Sequence, residues 1–247
     1  MKALILAAGY ATRLYPLTRD FPKPLLPVGG KPILDWLLDD LRRHTDIRET
    51  VLVSNHRFAQ KFAEWAQTRG GVTVLDDGTE SNETRLGAVR DMRLALDSLA
   101  GEDALVMAGD NLLDFSLAGF VAFAREKQAS CVMCHRETEL ARLRKTAVIT
   151  VDAAQRITSY EEKPAEPKGE LAVPPFYCYR AEELSQLDAA LAAGCGADAP
   201  GSFAAWLSRR VPMYAWPMPG RRHDIGDLAS YQQAQALWAT ANKEETK

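Results

Sequence analysis

The chain has 247 residues, of which 47% are hydrophobic and 26% are charged, and its formal net charge is −3. This balance is ordinary for a globular protein with a full core, and a slightly acidic chain has no overall attraction for nucleic acid or anionic lipid. No apolar run reaches the roughly 18 residues of a membrane span, and Met1 leads into a strand-like run rather than a leader peptide, so we expect a cytoplasmic protein with neither a nucleic-acid nor a membrane partner.

In the first half of the chain, short apolar runs alternate with segments of helical periodicity. The apolar runs predict five strands, over Ala3–Ala7, Thr50–Ser54, Val72–Leu75, Ala104–Ala108 and Ser130–Cys134. The apolar stripes between them predict amphipathic helices over Pro32–His44, over Arg85–Leu99 and around Phe120. This alternation predicts a Rossmann-like α/β fold, in which helices flank a mostly parallel sheet and a ligand binds beyond the carboxyl ends of the strands.

The pattern changes after about residue 135. The stretch 146–164 predicts a β-hairpin, and ELAVPPFYCYR predicts a strand that two prolines interrupt. A helix over Phe203–Arg209, a strand over Met213–Pro217 and a helix over Leu228–Ala241 complete the prediction. We interpret residues 1–247 as a single domain, in which a smaller part, about residues 136–241, closes over residues 1–135 and the charged tail 242–247 is frayed.

The four cysteines are Cys131, Cys134, Cys178 and Cys195. The first two form a C-x-x-C pattern on a predicted strand, where residues three apart face opposite sides. The sequence has no second pair of Cys or His residues at zinc-ligand spacing. We therefore interpret Cys131 and Cys134 as small hydrophobic core residues.

A long basic loop follows the first predicted strand. The apolar run stops at Gly9, where the chain can turn sharply and present backbone N–H groups, and Arg13 and Lys23 then supply cations. The planar fork of Arg suits phosphate oxygens, and Lys acts as a point charge. The pattern predicts a polyphosphate clamp, but a surface loop with scattered basic residues is an equal alternative because the loop has neither G-x-G-x-x-G nor G-x-x-x-x-G-K-[ST].

The segment LAAGYATRLYPLTRDFPKPLLPVGGKPIL resembles the N-terminal signature of the sugar-phosphate nucleotidyltransferases, L-A-[GA]-G-x-G-T-R-L-x-P-L-T followed by P-K-x-L-L-P-V. AGDNLLDF is similar to the G-D-N of that family, SYEEKP to its E-K-P, and RRHDIGDLASYQQA to its W-x-D-I-G-T-x-x-x-Y-x-x-A. The G-D-N form is most similar to glucose-1-phosphate thymidylyltransferases. The resemblance implies the nucleotide-diphospho-sugar transferase fold with a small acceptor-binding lobe.

Members of this family transfer a nucleoside monophosphate from an NTP to a phosphorylated acceptor and release pyrophosphate. The resemblance therefore implies a Mg²⁺-dependent nucleotidyltransferase of nucleotide-sugar biosynthesis, with an NTP and a sugar 1-phosphate as its partners. Such a reaction depends mainly on positioning and on charge neutralisation. Relatives often form dimers or tetramers, so the resemblance allows a homo-oligomer without specifying its size.

The resemblance also assigns the catalytic residues. Arg13 would hold the β- and γ-phosphates of the NTP, Lys23 its α-phosphate, and Asp110 and Asp224 the Mg²⁺ ion. Local sequence alone favours simpler roles for the two acids, with Asp110 capping a turn and Asp224 capping the region of the final helix.

The binding residues follow from the same motifs. Asn111, Glu162 and Lys163 would bind the acceptor, with Lys163 on its phosphate, although Glu162 and Lys163 could also be surface charges at a hairpin end. The implied nucleotide-binding residues are mostly small or polar: Leu6, Ala7, Ala8, Gly9, Thr12, Arg13, Lys23, Asn82 and Gly87.

Three departures from the family pattern leave the substrates open. Ala11 occupies the position of a glycine, which is costly if its φ is positive. The base-reading segment lacks the usual Gln, so Asn82 could read the base or lie near a helix N-cap. Pro174 and Pro175 cannot donate backbone hydrogen bonds to an acceptor. A cytidylyltransferase acting on phosphocholine or inositol phosphate is therefore the nearest alternative, and a non-catalytic regulatory nucleotide-binding subunit of the same fold is an alternative of another class.

Overall fold

The computed structural model describes residues 1–241, and the predicted frayed tail lies outside this range. The strands within it are β1 (Lys2–Leu6), β2 (Pro27–Val28), β3 (Lys31–Pro32), β4 (Thr50–Ser54), β5 (Val72–Asp76), β6 (Ala104–Ala108), β7 (Asn111–Leu113), β8 (Cys131–Arg136), β9 (Ala147–Val151), β10 (Ile157–Glu162), β11 (Leu171–Val173), β12 (Phe176–Tyr179), β13 (Tyr214–Pro217) and β14 (Arg222–Asp224).

The helices are α1 (Ile33–His44), α2 (His56–Gln67), α3 (Ala88–Leu94), α4 (Leu96–Leu99), α5 (Ala118–Lys127), α6 (Leu140–Leu143), α7 (Ala181–Leu184), α8 (Leu187–Ala192), α9 (Gly201–Leu207) and α10 (Leu228–Ala241). Two short 3₁₀ helices cover Thr12–Leu14 and Lys23–Leu25. Within residues 1–241, none of these helices combines the length and the apolar character that a bilayer-crossing helix needs.

The chain forms two compact units, and each unit is built from three separate stretches. Unit 1 comprises Met1–Leu4, Leu86–Met107 and Ala118–Pro219. Unit 2 comprises Ile5–Arg85, Ala108–Leu117 and the chain from Gly220 onward. These units show which parts of the chain pack together, but they do not show which part binds which substrate. The assignment of NTP binding to residues 1–135 and of acceptor binding to residues 136–241 therefore stays a prediction.

In unit 1 the strands β10, β9, β11, β8, β12 and β6 lie side by side in that order, and β13 pairs with β8. Strand β12 is antiparallel to both β6 and β8, so these two strands point the same way, and β13 runs parallel to β8. The predicted hairpin is the antiparallel pair β9–β10, with Tyr160 opposite Ile149. Cys131 and Cys134 are buried on β8, as the core interpretation requires.

In unit 2, β4 runs parallel to β5, and every residue of β4 is buried. Asn55 follows β4 and caps α2, because its Oδ1 accepts a hydrogen bond from the backbone N of Phe58 at 3.1 Å. A second core packs the first 3₁₀ helix, β7 and α10 together around buried apolar side chains that include Leu14, Leu112 and Trp238. The short strands β7 and β14 pair antiparallel beside this core.

The predicted α/β fold, with helices flanking a largely parallel sheet, is confirmed, and the elements differ from the prediction in detail. The predicted helix over Arg85–Leu99 is two helices, α3 and α4, and α3 begins only at Ala88. Gly87 causes the late start because its φ is +90°, which is outside the helical region. The helices α2, α6, α7 and α8 and the short strands β2, β3, β7, β11 and β14 were not predicted as separate elements.

Candidate functional site

The loop after β1 presents its backbone in unit 2. The backbone N of Ala7 donates to the carbonyl of Val53 at 2.9 Å, and Asn55 Nδ2 donates to the carbonyl of Ala8 at 3.1 Å. Gly9 comes next and is exposed. A Cβ placed at Gly9 would meet no heavy atom within 4 Å, and its φ is not in the left-handed region. Neither packing nor backbone conformation within the described chain therefore explains why this residue is a glycine.

Ala11 has a left-handed backbone conformation, which is unfavourable for an alanine at the position of the family's glycine. Its φ is +47° and its ψ is +42°, a conformation that costs a residue with a Cβ atom about 1–2 kcal/mol. The carbonyl of Ala11 accepts hydrogen bonds from Thr18 Oγ1 at 2.8 Å and from the backbone N of Leu14 at 3.0 Å. These bonds hold the turn that leads into the first 3₁₀ helix, on which Thr12 and Arg13 are exposed.

Lys23 connects two turns that are far apart in the sequence. Its Nζ donates to Asp110 Oδ2 at 2.5 Å and to the carbonyl of Ile225 at 2.7 Å. The side chains of Lys23 and Asp110 are 14% and 26% exposed, so the ion pair is largely shielded from water. The second 3₁₀ helix positions Lys23, and Pro22 and Pro24 restrict the backbone on either side of it.

The β7–β14 pair brings the second acid to the same place. In its register Asp224 lies opposite Asn111, the residue that follows Asp110. The backbone N of Ile225 donates to the carbonyl of Asp110 at 3.1 Å and extends this pairing by one bond. Unit 2 therefore contains Lys23, Asp110 and Asp224 in one cluster, as the resemblance implies for a metal and phosphate site.

Asn111 is fully buried, and both ends of its amide have a partner. Its Nδ2 donates to Asp110 Oδ1 at 2.7 Å, and its Oδ1 accepts a hydrogen bond from Arg222 Nη1 at 2.5 Å. Arg222 Nη1 also lies 3.8 Å from Asp224 Oδ1. These bonds use one of the two N–H donors and one of the two oxygen lone pairs, and the side chain is fully buried, so contact of Asn111 with an acceptor stays a prediction.

The pKa values of Asp110 and Asp224 are shifted in opposite directions. Burial by itself raises the pKa of Asp110, but the ammonium of Lys23 and its hydrogen bond outweigh burial and hold that pKa below its usual value. The pKa of Asp224 is raised, first by burial and then by the negative charge of Asp110, while Arg222, Lys23 and Arg13 oppose the rise. A cation placed between these carboxylates would relieve their repulsion.

The cluster suits a hard divalent cation. Among residues 1–241, no group of three or more His, Cys, Asp or Glu side chains is placed to hold a metal. Two carboxylates are nevertheless the protein ligands that Mg²⁺ usually takes when phosphates and waters complete its coordination. Asp110 and Asp224 therefore fit such an ion.

The two residues predicted to contact the base lie in different surroundings. Asn82 lies in a turn of unit 2, where its Oδ1 accepts a hydrogen bond from Arg85 at 2.9 Å, and it is not an N-cap because α3 begins at Ala88. Gly87 belongs to unit 1, and a Cβ there would lie 2.6 Å from the carbonyl oxygen of Ala197. Close packing alone thus requires a glycine at position 87, and contact with a base stays a prediction.

Glu162 and Lys163 end strand β10 in unit 1. The carboxylate of Glu162 lies against Gly201 beside the hydroxyl of Tyr160, and its Oε2 has no hydrogen-bond partner among the described residues. Burial raises the pKa of Glu162, and the charge of Lys163 opposes the rise. Lys163 is exposed and has a φ of +47°, while its backbone N donates to the carbonyl of Thr146 at 3.1 Å.

Sequence reasoning missed one charged residue in the cluster. Arg222 stands where the motif W-x-D-I-G has its Trp, so this departure was visible in the sequence. Its contact with Asn111 depends on the three-residue pairing of β7 with β14, which has no periodic signal in the sequence.

Residues 2–240 match the family model described as nucleotidyl transferase. The match covers nearly the whole chain, so the chain belongs to the nucleotidyl transferase family and the resemblance is confirmed.

Its relatives carry several nucleotide specificities in their names. The chain is 26% identical to a glucose-1-phosphate adenylyltransferase of Bacillus licheniformis, over 94% of this chain and 65% of the relative. It is 28% identical to a UTP–glucose-1-phosphate uridylyltransferase of Synechocystis sp., over 95% of this chain and 62% of the relative. A glucose-1-phosphate thymidylyltransferase of Actinoplanes sp. is 32% identical, over 74% of this chain and 59% of the relative. The chain thus spans slightly less than two thirds of the length of these relatives.

Solved structures show the same fold. A Bacillus anthracis protein described as a glucose-1-phosphate thymidylyltransferase, in complex with sucrose, superposes with a TM-score of 0.82 at 25% identity, over 97% of this chain and 95% of that one. A UDP-glucose pyrophosphorylase in complex with UDP-glucose superposes with a TM-score of 0.83 at 18% identity, over 97% of this chain and 98% of that one. The predicted nucleotide-diphospho-sugar transferase fold is therefore confirmed.

Proposed function

We propose that this protein transfers a nucleoside monophosphate from an NTP to a sugar 1-phosphate, with release of pyrophosphate and formation of an NDP-sugar. The observation that carries the proposal is the cluster of Lys23, Asp110 and Asp224 in a chain of the nucleotidyl transferase family. Relatives with different bases in their names share glucose 1-phosphate as acceptor, which supports a sugar 1-phosphate and leaves the base open.

The reaction brings two mutually repelling anions together, so the protein must supply positive charge. Arg13 is exposed on the first 3₁₀ helix, close enough to Asp224 to influence its pKa, and would bind the β- and γ-phosphates and the leaving pyrophosphate. Lys23 would bind the α-phosphate. Charges that are fixed before the reaction stabilise its transition state at no further reorganisation cost.

Mg²⁺ is the proposed cofactor, and Asp110 and Asp224 would hold it. Once bound, the ion would neutralise part of the phosphate charge. Lys23 keeps Asp110 ionised, which is the form that a metal ligand requires.

The backbone around Gly9 is the proposed floor for the nucleotide. The open space beside Gly9 suits a ligand that touches the main chain. Leu6, Ala7, Ala8 and Thr12, which flank Gly9 in the sequence, are the other candidates of this loop. Asn82 and Gly87 stay candidates for contact with the base.

Glu162 and Lys163 are the proposed acceptor residues in unit 1. An exposed ammonium suits the acceptor phosphate. Oε2 of Glu162 is buried, so the other carboxylate oxygen would accept a hydrogen bond from a sugar hydroxyl. Asn111 is the weakest acceptor candidate because its amide is engaged. A cytoplasmic location and a homo-oligomeric state remain predictions.

The decisive experiment measures pyrophosphate release for each NTP against a panel of acceptors. The panel contains hexose 1-phosphates, inositol 1-phosphate and phosphocholine, and mass spectrometry identifies the product. We expect turnover with one or more sugar 1-phosphates, and its loss in Asp110→Asn. Turnover with phosphocholine or inositol phosphate alone would favour the cytidylyltransferase alternative. NTP binding without turnover of any pair would favour the regulatory subunit.

A further inference from the structure

A row of hydrogen bonds runs through the cluster, from Arg222 through Asn111 and Asp110 to Lys23. Arg222 Nη1 donates to Asn111 Oδ1 at 2.5 Å, Asn111 Nδ2 donates to Asp110 Oδ1 at 2.7 Å, and Lys23 Nζ donates to Asp110 Oδ2 at 2.5 Å. Both oxygens of the Asp110 carboxylate therefore accept a hydrogen bond from a defined donor.

The orientation of the Asn111 amide decides whether this row can form. An amide has an acceptor end and a donor end, and a half turn about its last bond exchanges them. A guanidinium only donates, so Arg222 requires the oxygen of Asn111 to face it, and the NH₂ group must then face Asp110. The reverse orientation would place the amide oxygen against the carboxylate, where the two would repel. Asn111 is fully buried, so water cannot compensate for the wrong orientation.

We propose that Arg222 is a positioning residue for the metal site. By donating to Asn111 it fixes the amide so that Asn111 donates to Asp110, and this bond holds the Asp110 carboxylate in the orientation needed to share a divalent cation with Asp224. The inference rests on the proposed function, because it concerns the same two acids.

The charge of Arg222 and its positioning role predict opposite changes in metal affinity when Arg222 is replaced. Arg222 Nη1 lies 3.8 Å from Asp224, so its charge by itself opposes a divalent cation there, and its removal would tighten metal binding. If Arg222 acts by orienting Asn111, its removal weakens metal binding instead. Partners that orient metal ligands are worth roughly 10–100-fold in affinity.

The test compares Arg222→Met with Arg222→Gln. Both substitutions remove the charge, but only Gln keeps a donor that can reach for the Asn111 oxygen. The dissociation constant for Mn²⁺ alone is measured by electron paramagnetic resonance of the free ion, with no nucleotide present. We expect Met to weaken binding about tenfold and Gln about threefold or less. Arg221→Met is the matched control, because Arg221 bonds Asp114 through its main chain and should leave binding unchanged.

A double-mutant cycle shows whether Arg222 acts through Asn111. In the Asn111→Ala background, Arg222→Met should no longer weaken Mn²⁺ binding and should tighten it slightly, because the amide that Arg222 orients is gone and only the charge effect is left. In the background that keeps Asn111, equal effects of Met and Gln or tighter binding in Arg222→Met would overturn the proposal, as would a tenfold loss in both backgrounds. If Arg222→Met does not fold, Arg222→Leu takes its place, because Leu also has neither the charge nor a hydrogen-bond donor.

Failure of this inference differs from failure of the proposed function. Mn²⁺ binding that depends on Asp224 but not on Arg222, together with pyrophosphate release, would remove the positioning role and leave the enzyme. The absence of pyrophosphate release from every substrate pair would remove the enzyme, while the Mn²⁺ cycle would still be measurable.

Discussion

The ammonium of Lys23 is the counter-ion of Asp110, at 2.5 Å from Oδ2, and it also donates to the carbonyl of Ile225 at 2.7 Å. Lys23 therefore holds two turns of unit 2 together, in addition to its proposed contact with the α-phosphate. Its substitution should affect stability as well as turnover.

We expect Lys23→Met to lower the free energy of unfolding by about 2 kcal/mol, because it leaves a largely buried carboxylate without its counter-ion. It should also lower kcat about 10²-fold or more. Urea denaturation and pyrophosphate release measure the two effects. In Lys23→Met/Asp110→Asn, stability should return towards wild type while activity stays lost. Wild-type stability in Lys23→Met would contradict the counter-ion role.

Gly9→Ala should separate stability from nucleotide binding. A Cβ at this position meets nothing within 4 Å, so the free energy of unfolding should change by no more than about 0.5 kcal/mol. The same methyl group would occupy the space proposed for the nucleotide, so the KM for the NTP should rise at least about tenfold, with little change in the KM for the acceptor. An unchanged KM for the NTP would remove Gly9 from the nucleotide site.

The control for Gly9 is Gly29→Ala. Gly29 has a φ of +59°, and a Cβ there would lie 2.8 Å from the carbonyl oxygen of Trp238. This variant should lose stability, by about 2 kcal/mol, because both the backbone and the packing are violated. Thermal unfolding distinguishes the two glycines directly.

The raised pKa of Glu162 should make the stability of the protein depend on pH. Burial raises its pKa above the value of about 4.3 in an unfolded chain, so the folded protein binds this proton more tightly than the unfolded one. The contribution of Glu162 to stability therefore falls as pH rises from the unfolded pKa through the folded pKa, and it is constant above that. Glu162→Gln should gain stability relative to wild type across this interval.

Denaturation between pH 4 and pH 7 measures this difference. Glu161→Gln is the control, because Glu161 lies beside Glu162 on β10 but pairs with Lys168 at 3.1 Å. A constant difference between Glu162→Gln and wild type over the whole range would mean that the pKa of Glu162 is not raised.

The cysteines should differ in reactivity. Burial raises the pKa of Cys131 to about 12 and that of Cys134 to about 11, and it also raises the pKa of the fully enclosed Cys178. Because the thiolate is the reactive form, these three should resist a thiol reagent at pH 8 in the folded protein. Burial also raises the pKa of Cys195, but its thiol is partly exposed to the reagent, so Cys195 should react first. Titration with a chromogenic disulfide should give one fast thiol, and Cys195→Ser should abolish it.

The sequence was sufficient to predict most strands and helices with strong apolar periodicity, but not α2, whose buried side chains include Phe58, Phe62 and Trp65. Strand β4, where every residue is buried, coincides with the predicted strand Thr50–Ser54, and α1 follows the predicted stripe of Pro32–His44. The three-residue strands β7 and β14 could not be predicted, because so short a segment has no period and forms only by pairing with a distant partner. The contact between Arg222 and Asn111 forms only when β7 pairs with β14, so it could not be predicted either.

The site residues were predicted from motifs, and the structure adds their contacts and their burial, which motifs do not contain. The motifs contain Lys23 and both acids, but not the bond from Lys23 to the Ile225 carbonyl or the buried state of Asn111. Ala11 was identified as costly if its φ is positive, and its φ of +47° meets that condition. The close approach of Gly87 to Ala197 shows that a conserved-looking motif position can also have a packing reason.

The division of each unit into three stretches has a consequence for biosynthesis. Lys23 and the carbonyl that it bonds are 202 positions apart in the chain. Because a polypeptide leaves the ribosome amino end first, unit 2 lacks β14 and α10 until the last stretch emerges, and the early segments wait without those partners. Nascent chains shorter than about residue 225 should therefore engage chaperones and show no nucleotide affinity, however long synthesis is paused.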